Sequence, residues 1–150
     1  MKALITTAVA ALIVASSATP AAAPPVAGWQ KVTARKGGCA MYIPGDWKIS
    51  ALLKGSAASA DGSASAVVDR TDAASTLAEV KPVMEGMYKP VKIFEDTAQR
   101  LWYSYELNNK IHWYVGVPVK GGICGAQITV GKPDQEAVAK KIALSVAADF

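Results

Sequence analysis

Three β-rich runs between positions 101 and 130 constrain the fold of this chain more than any other feature. The first, Leu101–Leu107, is followed by Asn108-Asn109-Lys110, and the second, residues 111–119, is followed by a Gly-Gly pair. The third runs over residues 123–130. Runs rich in aromatic and β-branched residues, joined by short Asn- or Gly-containing connections, predict an antiparallel meander.

The length of the first connection decides which side chains of this meander share a face. A two-residue turn at Asn108-Asn109 would mix polar and apolar residues on both faces. A three-residue loop would place Leu107 opposite Ile111 and make one face wholly apolar or aromatic, so the hydrophobic pattern favours the longer loop. The sequence therefore predicts this core row: Leu101, Tyr103, Tyr105, Leu107, Ile111, Trp113, Val115 and Val117.

The same register places Trp102, Glu106, His112 and Tyr114 on the opposite face, with Glu106 directly across from His112. These four residues are a candidate aromatic site for a ligand or partner. A His oriented by a carboxylate also suits a general base, which would make the chain a small hydrolase. A cross-strand ion pair on a half-covered face is the commoner outcome for such a pair, so we assign no catalytic residue.

The N-terminus has the pattern of a secretory signal peptide. Lys2 precedes a mainly apolar run over residues 3–15, and small residues follow it. This run is shorter than the roughly 18 residues that a membrane span needs, so no stable anchor is predicted after cleavage at Ala18 or Ala21. The prediction is a signal peptide and lead-in over residues 1–21, one domain over residues 28–150, and a periplasmic or secreted location.

Export determines how the two cysteines are interpreted. Thiols in an oxidising compartment pair where geometry permits, and Cys39 and Cys124 are the only two, so a disulfide between them is predicted. A redox role would need a Cys-x-x-Cys motif, which is absent. One His and two paired cysteines leave too few ligands for a metal, and no cofactor is indicated.

The charge balance gives no sign of a nucleic-acid partner. Loss of Lys2 with the signal leaves 15 basic against 12 acidic residues, and the basic residues are scattered along the chain.

Two helices complete the predicted secondary structure. Thr76-Leu-Ala-Glu79 matches a capping box, and apolar residues at helical spacing continue to Tyr88. Pro82 implies either a kink or a later start. A second helix is predicted from Pro133 to Phe150.

Short strands are predicted before the first helix and between it and the meander. They cover residues 29–35, 39–43, 47–53, 64–70 and 91–95, with a hairpin loop over residues 55–63. The element order gives an α+β fold, with an antiparallel β-sheet and two helices packed on it.

The segment Tyr42-Ile-Pro-Gly-Asp-Trp47, followed by a hairpin, a helix, a meander and a C-terminal helix, resembles the PsbP-like family, including its exported bacterial members. The resemblance implies an α/β/α sandwich around an antiparallel sheet. It also implies an accessory or binding role, since the family offers no catalytic residues to carry over.

The expected function is therefore an exported, non-enzymatic binding or accessory protein. It would hold a protein partner in the cell envelope through one sheet face or the meander loops. One alternative is an immunity or inhibitor protein that neutralises an envelope-acting toxin or hydrolase. The other, of a different class, is the small hydrolase built on His112 and Glu106.

Overall fold

The computed structural model describes residues 24–150, and the predicted signal peptide and cleavage region lie outside them. The elements, in chain order, are β1 (Gln30–Thr33), β2 (Gly38–Ile43), β3 (Lys48–Ile49), β4 (Ser56–Ala58), β5 (Ser65–Thr71), α1 (Leu77–Met87), β6 (Lys92–Asp96), β7 (Leu101–Leu107), β8 (Lys110–Val119), β9 (Gly122–Val130), α2 (Glu136–Ser145) and β10 (Ala147–Asp149). The predicted α+β class is confirmed.

The strands form two antiparallel sheets. The larger sheet has the order β3-β4-β5-β9-β8-β7-β6, and the smaller one has the order β1-β2-β10. The predicted disulfide between Cys39 and Cys124 is confirmed, and it joins β2 of the small sheet to β9 near the centre of the large one. The second sheet was not predicted, since β10 comes from a segment that was assigned to a helix.

The predicted capping box opens α1. The Thr76 hydroxyl accepts a hydrogen bond from the Glu79 backbone N–H, and the Glu79 carboxylate accepts one from the Thr76 backbone N–H. The helix therefore begins where the box predicts and contains Pro82. Pro82 and Ala78 both face solvent, where water can satisfy the Ala78 carbonyl that loses its helical partner.

Both faces of the large sheet are buried at the meander. On one face, which we call the tyrosine face, Tyr103, Tyr105 and Tyr114 pack beneath Leu77 and Val80 of α1. The other, the tryptophan face, packs against α2 and the small sheet. Its core includes Trp102, Trp113, Val115, Cys124, Ala126 and Ile128. The large sheet thus lies between α1 and a layer formed by α2 and the small sheet.

The predicted register of the β7–β8 hairpin is wrong. Leu107 lies opposite Lys110 and Tyr105 opposite His112, so the turn has two residues. Asn108 and Asn109 have φ values of 53° and 57°, as a type I′ turn requires and as Asn tolerates. A two-residue turn places apolar residues on both faces of the hairpin, and both faces are buried because α1 covers one while α2 and the small sheet cover the other.

The predicted C-terminal helix is too long. The chain forms a short turn of 3-10 helix at Pro133–Gln135, then α2, which ends at Ser145. Ala147–Asp149 instead pairs with β2, with Ala148 opposite Cys39. The apolar pattern of the predicted helix continued to Val146 because that residue is buried in the same core as α2. Its backbone, however, is extended.

The early hairpin also differs from its prediction. The strand expected over residues 47–53 is reduced to β3, and the loop expected over residues 55–63 contains β4. Ala57 of β4 is buried, so this small-residue segment belongs to the sheet. No helix within residues 24–150 is long and apolar enough to cross a bilayer.

Candidate functional site

The structure divides the four predicted site residues between the two faces. Trp102 lies opposite Val115 on the tryptophan face, and Glu106 lies opposite Ile111 on the same side of the sheet. His112 and Tyr114, which oppose Tyr105 and Tyr103, lie on the tyrosine face. The predicted grouping of Trp102, Glu106, His112 and Tyr114 on one surface is wrong, because it depended on the three-residue loop.

His112 is held as part of the sheet surface. Its Nδ1 lies 3.0 Å from the Thr129 hydroxyl and its Nε2 lies 3.2 Å from the Leu107 carbonyl oxygen. A carbonyl only accepts, so Nε2 is the donor to Leu107, and in that tautomer Nδ1 can accept from the Thr129 hydroxyl. The ring also stacks on Tyr105, with centroids 5.2 Å apart. Because Glu106 is on the other side of the sheet, the predicted Glu106–His112 pair is not formed.

Tyr114 belongs to the core beneath α1. Its hydroxyl lies so close to Gly116 that a Cβ at that glycine would be 2.9 Å away. Burial raises the pKa of Tyr114 to about 12, and that of Tyr105 also to about 12. Burial raises the pKa of Tyr103 as well, and its hydroxyl has no hydrogen-bond partner among residues 24–150. These phenols remain neutral at physiological pH.

The strongest candidate site is an aromatic cleft on the tryptophan face, formed by Phe94, Trp102 and Trp113. The Phe94 ring stacks on Trp102 at 4.7 Å between centroids and lies 5.1 Å from Trp113. The two indoles meet edge to face at 5.5 Å. Aromatic pairs at these distances support one another beyond the area that they bury, so they form a rigid floor.

A β-bulge brings Phe94 into this cleft. Ile93 pairs with Tyr103 and Glu95 pairs with Trp102, which leaves Phe94 as an extra residue in β6. A bulge redirects the inserted side chain and raises the local twist. The bulge therefore allows Phe94 to join the two tryptophans at the edge of the sheet.

Charged side chains surround the opening of the cleft. Lys92 lies over the Phe94 ring at 5.1 Å, while Lys140 and Glu136 line the cleft from α2. The cleft has a volume of about 460 Å³. In the part of the chain that the structure describes, none of these three residues forms an ion pair, so the opening carries an excess positive charge.

A second cleft of about 500 Å³ lies at the start of α1, against the β6–β7 turn. Leu77, Leu101 and Pro118 line it, and its two charged residues, Lys81 and Asp96, form an ion pair with each other. It is slightly larger than the aromatic cleft but has no aromatic ring or unpaired charge. It offers a ligand less specific recognition, and we consider the aromatic cleft the better candidate.

Neither cleft has the ligands of a metal site. Within residues 24–150 no three His, Cys, Asp or Glu side chains lie close enough together to hold an ion.

Sequence reasoning placed Phe94 in a strand but missed its role in the cleft. A weak signal was present, since three successive strand candidates each carry an aromatic residue of the cleft: Phe94, Trp102 and Trp113. Their convergence depends on the bulge and on the two-residue turn. The sequence pattern reveals neither of these.

Comparisons with known proteins find matches among solved structures. No family model matches the chain, and no curated protein matches it either. Among solved structures, the chain is similar to cyanobacterial PsbP from Synechocystis sp. PCC 6803, with 10% identity and a TM-score of 0.46 over 83% of this chain and 94% of that one. The fold class rests on the elements described above.

Proposed function

We propose that this chain is an exported binding protein, without a catalytic role of its own, that holds a protein partner through the aromatic cleft. The observation that carries the proposal is the combination of three packed rings with two unpaired lysines at one opening. Rigid aromatic surfaces with a cationic edge are typical of binding sites, where they supply contact area at low entropic cost.

Export is supported by two features. The N-terminal sequence has the charged start, apolar centre and small residues of a signal peptide. The Cys39–Cys124 disulfide is of the kind that persists in an oxidising compartment. A periplasmic or secreted location follows as part of the proposal.

The chemistry of the cleft suggests what the partner presents. The floor of Phe94, Trp102 and Trp113 suits an aromatic or branched aliphatic side chain, which gains by leaving water. Lys92 and Lys140 suit carboxylates beside that side chain. The partner segment would therefore carry an apolar anchor next to acidic residues.

The test is capture from an envelope extract with the exported protein as bait. We compare Lys92→Glu/Lys140→Glu with Lys89→Glu/Lys120→Glu, which reverses the same charge at exposed positions that do not line the cleft. The wild type and the control should retain one stoichiometric partner, and the cleft variant should bind it about tenfold more weakly or worse. Equal capture by both variants, or no partner at all, would exclude the proposal.

Titration of the purified partner into each variant would then measure the affinity directly. If the partner has an enzymatic or toxic activity that is lost on binding, the protein belongs to the inhibitor class.

A further inference from the structure

The loop between β3 and β4 exposes more apolar surface than any other short segment within residues 24–150. Leu52 is 99% exposed and Leu53 is 60% exposed, and Ile49 at the base of the loop is 45% exposed. Single exposed apolar side chains are ordinary, but three within five residues at a projecting loop form a patch that needs a reason.

Hydrogen bonds hold this loop in a defined shape. The Leu53 backbone N–H donates to the Ser50 hydroxyl at 2.9 Å, and the Leu53 carbonyl accepts from the Ser56 backbone N–H at 3.1 Å. The Ser50 backbone N–H donates to the Ser56 carbonyl at 2.9 Å, which closes the loop at its base. The two leucines are therefore displayed by a closed turn.

Gly55 fixes the loop against the rest of the protein. Its φ of 86° is a conformation that favours glycine, and a Cβ there would collide with the Val68 carbonyl oxygen. The same Cβ would lie 3.6 Å from the Cα of Ala34, so the base of the loop packs beside the β1–β2 turn.

Basic residues flank the apolar tip in the sequence and also occur in the neighbouring β1–β2 turn. Lys48 and Lys54 flank it in sequence, and Arg35 and Lys36 follow Ala34 in the neighbouring turn. Across residues 24–150, none of these four is in an ion pair. The acidic residue nearest to the loop in sequence is the exposed Asp46, two positions before Lys48. Asp69 is the acidic residue of β5, and its carboxylate accepts the Arg70 backbone N–H at 2.8 Å.

We propose that the β3–β4 loop inserts its leucines into the headgroup region of an anionic bilayer, with the surrounding basic residues on the lipid phosphates. An apolar tip with basic residues on either side of it in the sequence matches the two attractions that hold peripheral proteins on such membranes. Lysines also extend along apolar surface while keeping their charge at the interface. Anionic phospholipid headgroups carry the charge that complements these basic residues.

A protein groove fits this tip less well than a bilayer does. Three apolar side chains on a convex loop cover far less area than the roughly 800 Å² per partner of a stable protein interface. A bilayer needs only a few inserted side chains, because charge attraction supplies the rest.

The β3–β4 loop and the aromatic cleft lie at opposite edges of the large sheet, so binding at one does not block the other. β3 and β6 are the two edge strands of the large sheet, with five strands between them. At roughly 4.8 Å per strand, the lipid-binding loop and the aromatic cleft are far enough apart to be occupied together. Either proposal can therefore fail without the other.

The first experiment measures binding of the exported protein, purified from the envelope fraction, to vesicles. Vesicles of phosphatidylglycerol mixed with phosphatidylcholine should bind it, and vesicles of phosphatidylcholine alone should bind it more weakly. Leu52→Ser/Leu53→Ser should lower the partition constant by about tenfold or more. Leu144→Ser, at an α2 residue that is 49% exposed, is the matched control and should leave it unchanged.

The second experiment asks whether the tip itself enters the bilayer. The disulfide leaves no free thiol among residues 24–150, so Leu52→Cys introduces one site for an environment-sensitive NBD fluorophore. Its emission should shift to the blue on phosphatidylglycerol vesicles, whereas the same label at Leu144→Cys should not shift. This result does not depend on how the N-terminus was processed.

Two further substitutions test the attraction between the loop lysines and the anionic lipid. Lys48→Glu/Lys54→Glu should weaken binding to phosphatidylglycerol vesicles by about fivefold per lysine and reduce its dependence on salt. Equal binding of all variants, or an unshifted label at position 52 on bound protein, would overturn the proposal. Capture of the tip by a protein while vesicles give no response would overturn it as well.

Discussion

The two faces of the large sheet are built from different aromatic residues. All four tryptophans pack in the core of the tryptophan face, whereas three tyrosines are buried on the tyrosine face with Tyr88 of the α1 C-terminus against them. Tyr88 stacks on Tyr105 at 4.5 Å between centroids. The same three strands of the meander supply both sets, because neighbouring residues of a strand point to opposite sides.

The two faces also differ in the elements that cover them and in the cleft that each one leaves open. The tyrosine face is covered by a single helix, its three central tyrosines are buried, and the cleft of about 500 Å³ opens at the start of that helix. The tryptophan face is covered by a helix, a second sheet and a disulfide, yet it opens into a cleft between β6 and α2. The cleft on the tyrosine face has no aromatic ring, whereas the cleft on the tryptophan face has three, and the latter is the one for which we propose a binding role. Tryptophan fluorescence and tyrosine ionisation report on the two faces separately.

The disulfide provides the largest expected effect, on the tryptophan face. Cys39→Ala/Cys124→Ala removes a link between residues 85 apart in sequence, and the chain-entropy estimate of its contribution is about 4 to 5 kcal/mol as an upper bound. Urea unfolding followed by tryptophan fluorescence should show a large loss of unfolding free energy. Reductant should have no effect on the double variant. A loss below about 1 kcal/mol would mean that packing alone joins the two sheets.

Alkaline pH should act on the tyrosine face. The pKa of Tyr105 is raised to about 12, above its ordinary value of 10. Below pH 10 the phenol is neutral in both states and its contribution is fully present. Between pH 10 and 12 the unfolded chain loses a proton that the folded chain keeps, so stability falls by about 1.4 kcal/mol per pH unit.

Above pH 10 the unfolding free energy of Tyr105→Phe should therefore fall less than that of the wild type. At pH 12 the difference between the two losses should reach about 2 to 3 kcal/mol. Urea unfolding at several pH values measures this difference, and the comparison at pH 8 serves as the control. Parallel curves for the two proteins would show that the ring is accessible to water.

A substitution in the capping box measures how much the N-terminus of α1 contributes to stability on the tyrosine face. Thr76→Ala removes the acceptor for the Glu79 N–H and should cost about 1 kcal/mol of unfolding free energy at neutral pH. Backbone hydrogen bonds from Ser75 and Thr76 lower the pKa of Glu79. Its contribution is therefore present above the ordinary Glu range and is lost as the pH falls through the lowered folded-state pKa.

Unfolding free energies measured between neutral and acidic pH check the contribution of the Glu79 carboxylate. Glu79→Gln should flatten the decline that the wild type shows below pH 4.5. An unchanged acid limb in that variant would assign the decline to other carboxylates.

The smallest expected effect concerns a hydroxyl in the centre of the tyrosine face. The Tyr103 side chain is fully buried, and its hydroxyl finds no partner among residues 24–150. Tyr103→Phe removes this unsatisfied group, so stability should stay unchanged or rise by up to about 1 kcal/mol. Thermal and urea unfolding measure the change. A clear loss of stability would indicate that the hydroxyl has an acceptor.

Several parts of the fold were predictable because their signals are local. Thr76 and Glu79 satisfy backbone groups within one turn, so the start of α1 follows from four residues. Cys39 and Cys124 had no other cysteine with which to pair. The meander strands were visible as runs of β-forming residues.

The candidate site was not predictable in the same way. The prediction of a three-residue loop at Asn108–Lys110 was wrong because it required only one face of the hairpin to be apolar, whereas both faces are buried. The cleft needs Phe94, which a bulge redirects, and two indoles that only the correct register places together. The length of α2 was overestimated because Val146 is buried just as a helical residue would be.

The sequence by itself determined the types of most elements, the capping box, the disulfide and the α+β class, since propensity, capping and thiol pairing act through short-range or exclusive partners. The tertiary structure alone decided the register of the meander, the second sheet and the positions of the cleft and the leucine-bearing loop. Those features depend on which face each element covers. In a sheet that is buried on both sides, the alternation of residues does not carry that information.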